Sequence, residues 1–192
     1  MQSVVNDIFY SVYQYLGFGI LFAVVSMLAL PEIKKNGIKL SIFQILKKMR
    51  KSKGYRYQFL FFIYLFMILS RTLICRNIWK CPWENIIGEW WIYTSEGKIN
   101  IEGFLNVILF LPLTYLGVHG FMLKKIGSYK NKEIILIIVK MSFLFSCIIE
   151  ILQLFLRLGT FQLSDIFQNT LGGLMGVTVC IIEESVKNQK KI

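Results

Sequence analysis

The stretch that decides the fold is Ile134–Leu156, IILIIVKMSFLFSCIIEILQLFL, in which Lys140 and Glu150 are the only formal charges. At a rise of 1.5 Å per residue, about 20 residues cross a hydrocarbon core of about 30 Å, so this block is long enough to span a bilayer. Helices in the cores of soluble proteins are usually shorter and two-faced. Within the block, Ser142, Ser146, Glu150 and Gln153 recur at spacings of four, four and three, and Arg157 follows four residues on. They form one polar stripe on an otherwise apolar helix. An ionisable group near a helix centre in a membrane costs on the order of 2.5–3.5 kcal/mol, so Glu150 needs a partner or a proton.

Outward from this block the same grammar repeats. Leu163–Ile182, LSDIFQNTLGGLMGVTVCII, follows after only a handful of residues around Arg157 and Gly159, which predicts a tight antiparallel hairpin. Asp165, Asn169, Gly172 and Gly176, at spacings of four, three and four, share one face. Gly172 and Gly176 make a GxxxG that lets a neighbouring backbone come close. Three earlier blocks complete the set: Tyr10–Leu30, stopped by Pro31, then Tyr57–Ile74 and Ile101–His119. The last contains Asn106 and Pro112, and the proline predicts a kink below Asn106. With 55% hydrophobic residues and a mean hydropathy of +0.57, the fold class is all-α: a polytopic transmembrane bundle of about five spans, one domain over residues 1–192. The first block has no basic flank and no small-residue cleavage site, so it reads as a retained span.

The net charge of +11 sits in the connections between blocks. No aromatic-interleaved basic domain is present, which argues against nucleic acid. Cytoplasmic loops are enriched in Lys and Arg, and the bias is strong. Lys34, Lys35, Lys39, Lys47, Lys48, Arg50, Lys51, Lys53 and Arg56 separate the first two blocks; Lys124, Lys125, Lys130 and Lys132 separate the third and fourth; Lys187, Lys190 and Lys191 end the chain. The first thirty residues have neither Lys nor Arg, and the last hairpin has only Arg157. This predicts an N-terminus outside and a C-terminus in the cytoplasm. Ile38, Ile42, Ile45, Leu46 and Met49 recur at helical spacing within the first basic stretch, which is either a helix on the anionic inner leaflet or a solvated loop. The outer loop, Arg76–Asn100, holds Trp79, Trp83, Trp90 and Trp91, read either as an interfacial belt or as a lid over an amphiphilic ligand. Cys75 and Cys81 flank its start as a disulfide or as two free thiols. His119 has no ligand companions in the sequence and reads as interfacial. Metal-ligand spacing, a P-loop and a Ser/His/Asp set are all missing, so the sequence points to no metal and no cofactor, and to binding ahead of catalysis.

Seven polar residues fall at one depth: Arg71, Asn106, Glu150, Gln153, Arg157, Asp165 and Asn169. Read together they predict a polar pocket in the outer leaflet. Each has a plainer alternative. Asp165 can cap its helix together with Ser164, the two arginines can snorkel to phosphates, and Asn106, Gln153 and Asn169 can be hydrogen-bonding glue between helices.

The ordered set NVILFLP (Asn106–Pro112), SCIIEILQ (Ser146–Gln153) and Asp165, Asn169, Gly172-Gly173-Leu-Met-Gly176 resembles the VanZ-like family of small bacterial membrane proteins. The resemblance covers roughly Gly103–Val177, with Arg71 as a less specific outer-end match; Thr114-Tyr115 departs from it where a small residue is expected after the proline. It implies a multi-pass protein of the bacterial plasma membrane that reduces susceptibility to teicoplanin-like lipoglycopeptides. The ligand then expected is the lipid anchor of such a drug or a cell-wall lipid, with its acyl chain between helices among membrane lipid. A membrane enzyme using Glu150 and Asp165 as an acid/base pair, or a subunit docking a membrane-protein partner through Gly172 and Gly176, are the other readings.

Overall fold

The structure, a computed structural model, describes residues 2–29, 38–74, 78, 81–90, 101–122 and 131–189, with side chains described from Gln14 onward and not for 38–41. Six α-helices carry the described chain: α1 (Gln2–Leu28), α2 (Ile38–Lys51), α3 (Lys53–Leu69), α4 (Ile101–Gly117), α5 (Asn131–Leu156) and α6 (Leu163–Gln189). A π-helical turn extends α3 over Ser70–Ile74 and another extends α4 over Val118–Met122. Among the described residues there is no strand. Four segments are long and apolar enough to cross a membrane: Lys53–Ile74, Ile101–Met122, Asn131–Leu156 and Leu163–Gln189. The described apolar part of α1 is Gln14–Leu28, and Pro31, expected to stop it, lies outside the described residues.

The pattern of burial is that of a lipid-solvated bundle. On α5 the buried side chains include Ser142, Ser146, Glu150 and Gln153, whereas Leu136, Met141, Phe143, Leu144, Ile148 and Phe155 are exposed. A soluble helix turns its apolar face inward; this one turns its polar stripe inward and offers hydrocarbon to its surroundings. α6 packs along both α4 and α5, and α1 packs along α3. The apolar contacts form separate layers. Ile68, Phe110, Leu113 and Ile149 form one, Val118, Ile134, Ile138, Val177 and Cys180 a second, and Met27 with Ile45 a third.

Three glycines of α6 set how near its neighbours come. A Cβ on Gly172 would strike the Val107 carbonyl oxygen, one on Gly173 the Ser142 hydroxyl, and one on Gly176 the Thr114 hydroxyl. The departure at Thr114-Tyr115 is accommodated here. The Thr114 hydroxyl donates back along α4 to the Phe110 and Leu111 carbonyls at 3.1 and 3.0 Å, and the side chain lies in the space that Gly173 and Gly176 leave open. α4 stays helical through Pro112.

At the end of the bundle away from the α5–α6 hairpin, a polar network ties three helices together. His119, which the sequence reads as interfacial, is 4% exposed. Its Nε2 lies 3.3 Å from the Glu183 carboxylate, and the Tyr115 hydroxyl donates to the same oxygen at 3.0 Å. Lys187 donates to the other oxygen at 2.7 Å, and Cys180 Sγ lies 3.4 Å from His119 Nδ1. Tyr57 of α3 packs against the imidazole at a tilt, with ring centroids 4.8 Å apart. Replacing Glu183 by Ala strands the buried His119 and the half-buried Tyr115 hydroxyl, and a thermal unfolding experiment in detergent is expected to read a loss of about 1–3 kcal/mol. An unchanged melting point would mean the network contributes nothing to holding α6 against α4.

Candidate functional site: a buried polar layer under the Cys81–Trp90 loop

The α5–α6 hairpin and the loop Cys81–Trp90 build one end of the bundle together. The hairpin turns through Arg157, at φ 55°, and Gly159, at φ 126°, both in the left-handed region. The loop then lies against the hairpin by main-chain bonds: Phe161 N–H donates to the Pro82 carbonyl, Leu163 N–H to Ile86 and Ser164 N–H to Ile87, at 2.8, 2.8 and 3.3 Å. Gln168 adds a side-chain bond to the Glu89 carbonyl at 3.0 Å. Trp90 packs on Phe167, with centroids 5.4 Å apart, while Trp83 is exposed. Trp79 and Trp91 lie outside the described residues. Cys81 is an exposed free thiol, and Cys75, its candidate partner, also lies outside them.

Beneath this loop the polar residues are buried and paired across helices. The Glu150 side chain, on a residue 2% exposed, accepts the Gln162 backbone N–H at 3.0 Å, so the hairpin folds its own backbone onto the carboxyl. Gln153 Nε2 donates to the Thr72 carbonyl at 2.9 Å, which joins α5 to the π-helical end of α3. Asn169 Nδ2 donates to the Ser146 hydroxyl at 2.9 Å and joins α6 to α5. Asn106 Nδ2 donates to Gln168 Oε1 at 3.3 Å and joins α4 to α6. Among the described residues, buried Gln153 Oε1, Asn169 Oδ1 and Ser70 Oγ have no hydrogen-bond partner. Leaving such groups unpaired costs about 1–3 kcal/mol each, so this layer has capacity for donors from a bound molecule or water.

Above the layer a cavity of about 230 Å³ opens between the loop and the starts of α4 and α6, lined by Asn85, Glu89, Glu102, Gly103, Gln162, Ser164, Asp165 and Gln168. The sequence-predicted residues therefore divide. Asp165 lines the cavity, Asn106 reaches its Gln168 wall, and Glu150 touches it through Gln162. Gln153 and Asn169 lie in the buried layer. Arg71 and Arg157 do not line the cavity. For Arg157 the reason is local: α5 ends at Leu156, and the left-handed backbone at residue 157 takes the side chain off the stripe that helical spacing predicts. For Arg71 it is the π-helical turn Ser70–Ile74, which faces Ser70 and Thr72 inward instead. Gln162, Gln168, Glu89 and Glu102 were not singled out by sequence reasoning. The one usable signal is that Gln168 precedes Asn169 at the polar start of α6. Among the described residues no group of three or more His, Cys, Asp or Glu could hold a metal ion.

The motifs that carry the geometry, on α4, α5 and α6, fall inside a single family match. The VanZ/LLP1 family model covers residues 20–184. The chain belongs to the VanZ/LLP1 family. Within it, the chain is similar to Protein VanZ of Enterococcus faecium, 30% identical over 100 residues. That match covers 52% of this chain and 56% of the relative, so the chain spans little more than half the length of the VanZ protein it resembles. No solved structure matches. Membership in the VanZ/LLP1 family and four apolar helices of spanning length agree on a membrane protein.

Proposed function

We propose that this protein lowers the susceptibility of a bacterial cell to teicoplanin and related lipoglycopeptides by holding an amphiphile at the layer around Glu150. In this reading the chain is one VanZ-like domain of five spans in the plasma membrane. α1 is the first span, the hairpin end faces outward and the C-terminus is cytoplasmic, as the Lys and Arg distribution predicts. The observation that carries the proposal is the buried Glu150 side chain bound to the Gln162 backbone, directly under an acid-lined cavity. Glu89, Glu102 and Asp165 make the cavity mouth suited to hydrogen-bond donors or positive charge on a ligand. The lipid-facing helix surfaces beside it accommodate an acyl chain. Arg71 and Arg157 stand apart from the cavity lining, at positions suited to headgroup phosphate.

Binding to the purified protein in nanodiscs tests this directly. Teicoplanin, which carries an acyl chain, is expected to bind more tightly than vancomycin, and loss of the acyl chain is expected to cost at least tenfold in Kd, since each buried methylene contributes about 0.8 kcal/mol. Equal affinity for both drugs would contradict a site shared between polar layer and lipid.

A further inference from the structure

The segment that joins the first apolar helix to the second is itself a helix with two chemically different halves. In IFQILKKMRK, Ile42–Lys51, a 100° turn per residue places Ile42, Ile45, Leu46 and Met49 on one side and Gln44, Lys47, Lys48 and Lys51 on the other. The protein uses only part of the apolar half. Ile45 is 4% exposed and packs against Met27, bordered by Met49, Tyr55 and Phe59. Ile42, Phe43 and Leu46 are 42%, 64% and 57% exposed, and beside a membrane-spanning bundle hydrocarbon is the solvent that covers them. A helix seated by those residues at the acyl boundary raises its opposite face to the phosphate level.

That opposite face is shaped. Ser52, extended at φ −122° and ψ 125°, separates α2 from α3, and its N–H closes the end of α2 on the Lys48 carbonyl at 2.8 Å. In the elbow, Gln44, Lys47, Lys48, Lys51 and Ser52 line an open groove of about 280 Å³ with the apolar parts of their side chains, so the ammonium groups stand at its rim and not inside it. Lys48 is held in place: its Nζ donates to the Tyr55 hydroxyl at 2.9 Å and lies 4.9 Å from the centre of that ring. Lys47 and Lys51, one helical turn apart, flank it with exposed ammonium groups. We propose that the α2–α3 elbow binds the phosphate of an anionic phospholipid, with Lys47, Lys48 and Lys51 supplying the charge and the exposed Ile42, Phe43 and Leu46 setting the depth. The occupant is a lipid because the apolar and basic halves are needed together; a free phosphate answers only the lysines. The site rests on membrane insertion of the bundle and is independent of any drug.

The full-length protein is reconstituted in nanodiscs of mixed phosphatidylcholine and phosphatidylglycerol, and lipid retained through purification is identified by native mass spectrometry. The wild type is expected to retain phosphatidylglycerol selectively. A Lys47→Gln/Lys51→Gln variant is expected to retain about twenty-fivefold less, since each lysine near an anionic surface is worth roughly a fivefold change in affinity. A Lys47→Arg/Lys51→Arg variant, and a Lys132→Gln/Lys140→Gln variant that removes two lysines from α5, are both expected to keep the lipid. The proposal is overturned by full retention in the glutamine pair at 47 and 51, by an equal loss from the α5 pair, or by displacement with inorganic phosphate alone.

Discussion

Replacing Gly172 by Ala is expected to cost about 3 kcal/mol, at the upper end of what overpacking a close contact usually costs, and to leave little folded protein in the membrane. The obstacle a Cβ would meet is the Val107 carbonyl oxygen, which is backbone in the middle of α4 and cannot rotate aside. α4 and α6 would have to separate, and with them the Asn106–Gln168 bond and the cavity wall it holds. Gly173 provides the internal comparison. Its obstacle is the Ser142 side chain, so a Gly173→Ala change is expected to be relieved by Ser142→Gly in the same chain. Melting midpoints of the purified variants in one detergent decide the matter. A Gly172→Ala protein that melts like the wild type would show that these two helices are not in backbone contact.

The second large effect is at Glu150, where two substitutions separate fold from function. Glutamine keeps an oxygen that can accept the Gln162 N–H now bonded at 3.0 Å, so Glu150→Gln is expected to accumulate at wild-type abundance. It exchanges an ionisable carboxyl for an amide. The carboxyl backs the Gln162 wall of the cavity, and losing a hydrogen bond to an ionisable group costs about 1.5–3 kcal/mol, so the variant is expected to bind an amphiphile at least tenfold more weakly. Alanine leaves the Gln162 N–H unpaired, and Glu150→Ala is expected to lose abundance as well. Quantified membrane fractions beside binding curves test both. Wild-type binding by Glu150→Gln would remove the carboxyl from the site.

The helices were legible because a bilayer imposes length and apolarity on each span, and the Ser142–Gln153 stripe was legible because helical periodicity is local. The stripe failed at Arg157 because periodicity does not announce where a helix stops, and the left-handed residue there breaks the projection. Arg71 stays outside the cavity lining for a related reason, since a π-helical turn shifts facing by a fraction of a turn that residue spacing does not reveal. The cavity residues Glu89, Glu102 and Gln168 were missed because backbone bonds from the loop to residues 161–164 bring them together, and such bonds leave no side-chain signature. His119 and Glu183, 64 positions apart in the chain, meet only once α4 and α6 are packed.

The most direct test of the account is drug susceptibility in a sensitive Gram-positive host carrying the wild type, Glu150→Gln or an empty vector at matched membrane abundance. Protection by the wild type alone is expected, stronger against teicoplanin than against vancomycin. Equal susceptibility of the three strains to both drugs would contradict it.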